Sequence, residues 1–340
     1  MAGRTVSFTT FNLLNLNEPG LPLYRDRDGW DAEVHARKVA WTASKLREMP
    51  ADVFGFQELW HAASLDAVLE AAGMADDYVA LVPPGQAGQG IVCATAVSRA
   101  VLAGEPEWIT GFPPDFVLRS GGDDPQAPDV SVRIDGFSRP VLSFPIRPRA
   151  RGPEIDVYVC HLKSKAPTRI HREPWYERDA HARHAEAIGA ALSTIRRTAE
   201  AMALRMILTD AMRGNDRPAV VLGDCNDGQH SNTLDILTGQ PRFLAALSRG
   251  GGDADLYTAQ TLQQYRSETD VYYTHVFQER RQSLDHILVS QEFYDMSRRR
   301  LWAFDGLEIS NDHLNADDHA TSGTGDHGVV RATFRWAPAG

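Results

Sequence analysis

Asp224 and Asn226, in VVLGDCND (Val220–Asp227), and Asp326 and His327, in TGDHGVV (Thr324–Val330), each set a carboxylate beside a second polar group at the edge of a β-branched run. Such runs read as buried strands. Three more positions repeat the pattern: Asn12 after VSFTTF, Glu58 after DVFGFQ and His161 after DVYVC. Any one of these is ordinary turn or capping chemistry. Five together describe one polar cleft at the rim of a sheet. Hydrolysis of a phosphoester needs such a set. Hard oxygen ligands hold a cation against the phosphate charge. An imidazole moves protons near neutral pH, and further donors face the charge that builds on phosphorus. Glu58 and Asp326 supply the first, His327 the second, and Asn12, Asn226 and His161 the third. The pattern points to metal-assisted phosphoester hydrolysis.

The elements that must carry these residues follow from periodicity. Strands are expected at Val6–Phe11, Val53–Gln57, Tyr78–Val82, Gly90–Val97, Ile155–Cys160, Ala219–Leu222, Asp270–Phe277, Leu284–Val289 and Val329–Arg335. Val130–Ile134 and Val141–Phe144 read as a strand pair joined near Gly136, and the Gly/Pro/Asp-rich stretch 111–128 as a surface loop. Ala36, Val39, Ala40, Ala43 and Leu46 keep helical spacing between Ala32 and Met49, and Pro50 stops that helix. A second helix is expected at Leu65–Ala72. Residues 164–217 read as a helical insert with two helix-like runs, leaving directly from His161. With no internal repeat or linker, residues 1–340 read as a single domain. The expected fold is α/β (α+β): a four-layer sandwich of two packed, mostly antiparallel sheets flanked by helices.

Composition narrows the partners. The chain has 340 residues, with 45 Asp and Glu against 35 Lys and Arg and a formal charge of −10. That balance does not favour long duplex nucleic acid, which selects for a basic excess. An apolar fraction of 43% is ample for a core. Cys93, Cys160 and Cys225 lie in apolar runs rather than at ligand spacing, which reads as reduced thiols and a cytoplasmic location. No signal-peptide pattern or apolar run of about 18 residues is present in the sequence. No protein partner can be inferred.

The segments FNLLN, FQELW, CHLKSK, GDCND, SLDHILVS and GDHGVV, in that order, resemble the endonuclease/exonuclease/phosphatase family, which includes pancreatic-type deoxyribonuclease, apurinic endonucleases, neutral sphingomyelinases, inositol polyphosphate 5-phosphatases and deadenylases. The likeness runs from Phe11 to Val330. It implies a Mg²⁺ or Mn²⁺ cofactor, one or two ions, with Glu58 as principal ligand, Asn12 near the metal and Asp326 completing the network. It further implies Asp224 and Asn226 orienting the attacking water, His327 as an imidazole oriented by Asp285, and His161 as a second imidazole across the phosphate. Two departures stand out. Leu14 occupies a position where apurinic endonucleases carry Asp, and His161 one where they tend to use Tyr. His286 should face away from the site by strand alternation. NDHLNADDHA (Asn311–Ala320) reads as a polar loop.

The expected activity is hydrolysis of a phosphodiester by in-line attack of water, on a small or single-stranded substrate. A deoxyribonuclease-type DNA endonuclease is the alternative, and a non-catalytic binding scaffold a second. Lys163 and the insert's Arg172 are expected to contact substrate. The insert's cations, including Arg169 and Arg178, are placed to bind a second charged group, and its bulk to narrow access for a stiff duplex.

Overall fold

The computed structural model describes residues 5–25, 27–121, 126–239, 250–267, 273–278 and 280–340. Two six-stranded sheets form its centre. The strands of the first half of the chain are β1 (Thr5–Leu16), β2 (Val53–His61), β3 (Tyr78–Leu81), β4 (Ala87–Ser98), β5 (Glu107–Gly111), β6 (Leu118–Ser120), β7 (Val130–Val132), β8 (Gly136–Ile146) and β9 (Ile155–His161). Those of the second half are β10 (Ala219–Asp224), β11 (Tyr257–Thr258), β12 (His275–Phe277), β13 (Arg280–Gln282), β14 (Asp285–Val289), β15 (Trp302–Ser310) and β16 (Val329–Trp336). One sheet runs β15-β16-β1-β2-β4-β3 and the other β11-β14-β10-β9-β8-β5, while β6-β7 and β12-β13 form small ribbons.

Alternation along the strands builds the layers. Phe8 and Val53 in the first sheet, and Val157, Val159, Val220 and Leu222 in the second, meet in a core between the sheets. The opposite face of the first sheet, with Phe11, Phe54 and Phe56, packs under α1 (Ala32–Glu48) and α2 (Ala62–Ala72). The opposite face of the second, with Tyr158, Cys160 and Val221, packs under Leu204 and Leu208 of a 28-residue helix, Ala185–Met212. Both faces of each central strand are therefore covered, which is why their sequences are nearly continuous apolar runs. The sheets approach closely at Gly55, where a Cβ would lie 2.9 Å from the Leu222 Cβ. Cys93, Cys160 and Cys225 are free and buried. Among the described residues no helix is long and apolar enough to cross a membrane.

Topology explains the polar rim. β1 and β2 are parallel, as are β9 and β10, while β16 runs antiparallel to β1 and β14 antiparallel to β10. The carboxyl ends of four strands and the amino ends of two thus reach one side of the sandwich. There they carry Asn12, Glu58, His161, Asp224, Asp285 and, just before β16, Asp326 and His327.

Several local expectations are corrected. Val130–Val132 pairs with Leu118–Ser120, inside the expected loop, and not with Val141–Phe144, which belongs to β8 between β5 and β9. The ribbon is largely exposed, so it lacks the apolar alternation that would have marked it. The insert holds one long helix instead of two comparable ones. It is preceded by short turns at Ile170–Arg172, Arg178–His181 and Ala182–His184. Of the strand expected at 270–277, His275–Phe277 is observed, and residues 270–272 lie outside the described residues. β5 and β15 were not anticipated, because their half-exposed faces dilute the period-two pattern.

Candidate active site

Asn12 and Glu58 leave parallel neighbours at the same level, and both strands are irregular there. The β1–β2 register shifts after Asn12, and the β2–β4 register shifts between Phe56 and Leu59. Leu14, Asn15, Glu58 and Asn226 all have positive φ, at 46°, 55°, 60° and 53°. Side chains other than Gly in that region cost about 1–3 kcal/mol each, and such strain collects where geometry matters more than stability. It aims Glu58 into the cleft, where Oε2 accepts the Asn15 N–H at 3.1 Å.

Asp224, in the last position of β10, is the hub. Its Oδ1 accepts the Asn226 N–H at 2.8 Å and its Oδ2 accepts Asn12 Nδ2–H at 3.1 Å. The same Oδ2 lies 3.5 Å from His161 Nε2 and 3.9 Å from His327 Nε2. His161 Nε2 is in turn 4.0 Å from Glu58 Oε1. Asp285 stands opposite Asp224 in the antiparallel ladder, and its Oδ2 meets His327 Nδ1 at 2.8 Å. Asn226 Nδ2 donates to the Leu162 carbonyl at 3.0 Å, tying the β10 end to the β9 end. His286 turns away as alternation requires, with Nε2 on the Asp227 carbonyl at 2.9 Å.

Electrostatics separates the two imidazoles. Burial, helped by the charges of Arg139, His327 and Lys163, holds His161 well below the ordinary histidine range, so it is neutral near pH 7. Burial also pushes His327 down, but the carboxylates of Asp285 and Asp224 outweigh it and hold the ring well above that range. Asp224 is raised to about 7 by burial; His327 opposes the rise while Asp285 and Glu58 reinforce it. Burial lifts Glu58 as well, and the nearby Asp326 charge adds to the rise. The cluster therefore pairs a neutral ring with a charged one around a carboxylate poised near neutrality, the separation that proton-transfer chemistry requires.

The donor set fits a hard divalent cation. Asp326 Oδ1 is buried without a hydrogen-bond partner, and Glu58 is destabilised as an anion by that same acid. Such a pair of carboxylates has an unmet need for positive charge. The groupings Asp224–Asp285–His327 and His275–Asp326–His327 each bring their ligand atoms within 4.8 Å of one another.

Lys163 and Arg172 are not in this cluster. They line an adjoining cavity of about 830 Å³, while Asp326 lines another of about 560 Å³. Four residues at or beside the site escaped the sequence reading. His275 stacks obliquely on His327, ring centres 4.8 Å apart. Arg139 lowers the proton affinity of both His161 and Glu58. Lys38 is fully buried on α1, and burial lowers its pKa to about 8 against the opposing pull of Asp326 and Glu58. Glu200, on the 185–212 helix, accepts the Ser138 N–H at 2.9 Å and the Lys163 N–H at 2.7 Å. For Lys38 the one sequence signal was a lysine within an apolar helical stripe.

The endonuclease/exonuclease/phosphatase family model matches residues 9–327, nearly the whole chain. The chain belongs to that family. Its members hydrolyse phosphoester bonds and are typically dependent on divalent metal. Among solved structures, TDP2 from D. rerio in complex with a single-strand DNA product superposes with a TM-score of 0.55 at 14% identity, covering 97% of this chain and 99% of that one. The human Nocturnin catalytic domain with bound sulfate gives 0.55 at 13% identity, covering 98% and 95%. A mannosyl-6-phosphatase from Bacteroides thetaiotaomicron gives 0.52 at 15% identity, covering 97% and 100%. At such identities the likeness speaks to the fold alone. No curated protein matches the sequence.

Proposed function

We propose that the chain is a Mg²⁺- or Mn²⁺-dependent phosphodiesterase acting on small or single-stranded substrates. The observation that carries the reading is the convergence of Asn12, His161 and His327 on one carboxylate oxygen, Asp224 Oδ2, beside the two acids Glu58 and Asp326. Glu58, Asp326 and Asn12 would hold one or two ions, which neutralise phosphate charge and make water more acidic when bound. Asp224, raised to about 7, takes the proton of the attacking water, and Asn226 holds its orientation through the Asp224 Oδ1 contact. Neutral His161 donates a hydrogen bond to a phosphate oxygen. His327, kept as imidazolium by Asp285, stabilises charge on the phosphate and delivers a proton to the leaving oxygen.

TDP2 with its single-strand DNA product and the mannosyl-6-phosphatase support a phosphoester that reaches the cleft as a slender group. The acidic balance of the chain supports the same preference over duplex DNA. The direct test is hydrolysis of bis(p-nitrophenyl) phosphate with Mg²⁺ or Mn²⁺, repeated with chelator. Metal-dependent turnover is expected. Absence of turnover with either ion would leave the binding-scaffold reading in its place, and preferential nicking of plasmid DNA the endonuclease reading.

A further inference from the structure

Two ligand-type atoms beside the reaction centre, His275 Nδ1 and Asp326 Oδ1, are buried without a hydrogen-bond partner among the described residues. A buried polar atom left unpaired is costly, so two of them in neighbouring side chains mark a place for a bound ligand. His275, Asp326 and His327 each bring one ligand atom within 4.8 Å of the other two. The backbone holds them there. An antiparallel bridge joins His275 to His327, and the Gly328 N–H donates to the Thr274 carbonyl at 2.7 Å. A Cβ at Gly328 would lie 3.3 Å from the Thr274 Cα, so the close approach favours glycine. Thr274 is itself buried, its Oγ1 accepting the Leu284 and Asp285 N–H groups at 2.9 and 3.2 Å. The two histidine-bearing segments are thus fixed by the fold, the preorganisation a selective site requires.

The donor set differs from the one around Glu58. Two imidazoles and one carboxylate suit a borderline transition ion better than Mg²⁺, which prefers oxygen ligands. His327 Nδ1 is engaged by Asp285 Oδ2 at 2.8 Å, which leaves Nε2 to face a ligand. Carboxylate–imidazole pairs of this kind orient metal-binding histidines. Burial, then the His327 charge, holds His275 below the ordinary histidine range against the pull of Asp326 and Asp285, so the ring is neutral and has a lone pair to give. Asp326 opens on the cavity of about 560 Å³ that His319 also lines, a route for a hydrated ion. With two oxygens, Asp326 can serve this set and the Glu58 set together. We infer that His275, Asp326 and His327 form a further cation site, selective for a borderline ion of the Zn²⁺ class, and that an ion held there blocks turnover by occupying the His327 nitrogen. Coordination exchanges the His327 proton for the ion, so the ring can no longer deliver that proton to a leaving oxygen. The inhibition rests on the phosphodiesterase reading above; the site does not.

The test titrates Co²⁺, a coloured stand-in for spectroscopically silent Zn²⁺, into the full chain with Mg²⁺ in excess. Visible bands of a Co²⁺–imidazole site should appear and saturate at a single ion per chain, and Zn²⁺ should bleach them. In His275→Ala the Co²⁺ affinity should fall by about tenfold or more, at least the scale of losing a group that merely orients a ligand; a melting curve verifies folding. His275→Cys should retain the site and add a thiolate-to-Co²⁺ charge-transfer band, which a structural role for His275 would not produce. Both variants should keep Mg²⁺-dependent hydrolysis of bis(p-nitrophenyl) phosphate, and Zn²⁺ should slow the parent far more than His275→Ala. Co²⁺ binding that excess Mg²⁺ abolishes, or that is the same in the parent and in His275→Ala, would overturn the site. Co²⁺ held through His275 in a protein without turnover under any ion would sink the hydrolase reading and keep the site. Zn²⁺ bound through His275 with undiminished Mg²⁺-supported turnover would overturn the inhibition alone.

Discussion

Glu200→Gln is a substitution outside the catalytic cluster that should nonetheless impair the site. The parent side chain is 1% exposed, and its two oxygens each accept one backbone N–H: Ser138 at 2.9 Å and Lys163 at 2.7 Å. Those residues flank Arg139 on β8 and follow His161 on β9, so one carboxyl clamps both strands where they carry cations to the cavity. A hydrogen bond to a charged acceptor contributes about 1.5–3 kcal/mol. Glutamine keeps one acceptor, now neutral and worth about 1 kcal/mol, and turns an N–H₂ towards the other donor. The difference is about 2–5 kcal/mol. For a chain of this size that lowers Tm by on the order of 3–7 °C. Because Arg139 and Lys163 lose their anchor while Asp224 and His327 keep theirs, KM for a phosphodiester should rise more than kcat falls. Calorimetric melting and steady-state kinetics read the two effects separately. A Tm within about 1 °C of the parent together with an unchanged KM would show that the clamp is not what holds these strand ends.

Glu58→Gln should abolish metal-dependent turnover with the fold retained, since glutamine keeps the shape but not the charge a hard cation needs. Near-normal activity at low Mg²⁺, checked by titrating the ion, would remove Glu58 from the metal site. His327→Ala should lower kcat by about 10²–10⁴, and pairing it with Asp285→Asn should cost little beyond the worse single change, because the two act as one unit; fully additive losses refute the coupling. In Asp285→Asn alone, burial should prevail and the His327 titration, followed by NMR, should move to lower pH. The folded pKa of His327 is raised, so its stabilisation is fully present below the unfolded value near 6.5 and fades as pH rises through the folded one. The stability deficit of Asp285→Asn should therefore be larger at pH 6 than at the alkaline end of that window. Replacing Thr168–Arg178 by a Gly/Ser linker should impair the p-nitrophenyl ester of thymidine 5′-phosphate more than bis(p-nitrophenyl) phosphate, and equal effects on both would make the segment mere packing.

The polar cluster was legible because each member lies in, or directly beside, a buried strand near one rim of the sandwich, where an isolated polar residue breaks an apolar run. Asn12, Glu58, His161, Asp224, Asp285 and His327 all carry that signal. The local order was not enough to pair strands: Val130–Val132 finds its partner in an exposed ribbon, and no apolar alternation marks either strand of it. Glu200 was hidden for a different reason. It lies on a helix whose sequence offers several acids and bases, and only the approach of that helix to the ends of β8 and β9 reveals which one turns inward.

The cationic wall of the cavity that Lys163 and Arg172 line is illegible in sequence for a reason that also bears on its purpose. Its members come from five separated segments: the loop after β1, the start of β8, the end of β9, the turn at 170–172 and the 185–212 helix. No window of the chain is basic enough to flag it, and the whole chain is acidic. A basic tail would attract any polyanion regardless of shape. A wall assembled by the fold from single residues instead fixes where each positive charge stands relative to the scissile bond. The acid excess elsewhere repels long polyanions that would need to lie across the surface, while the cavity still attracts a compact one. On the phosphodiesterase reading proposed above, a preference for a compact phosphoester over duplex nucleic acid would follow from the contrast between the local and the net charge.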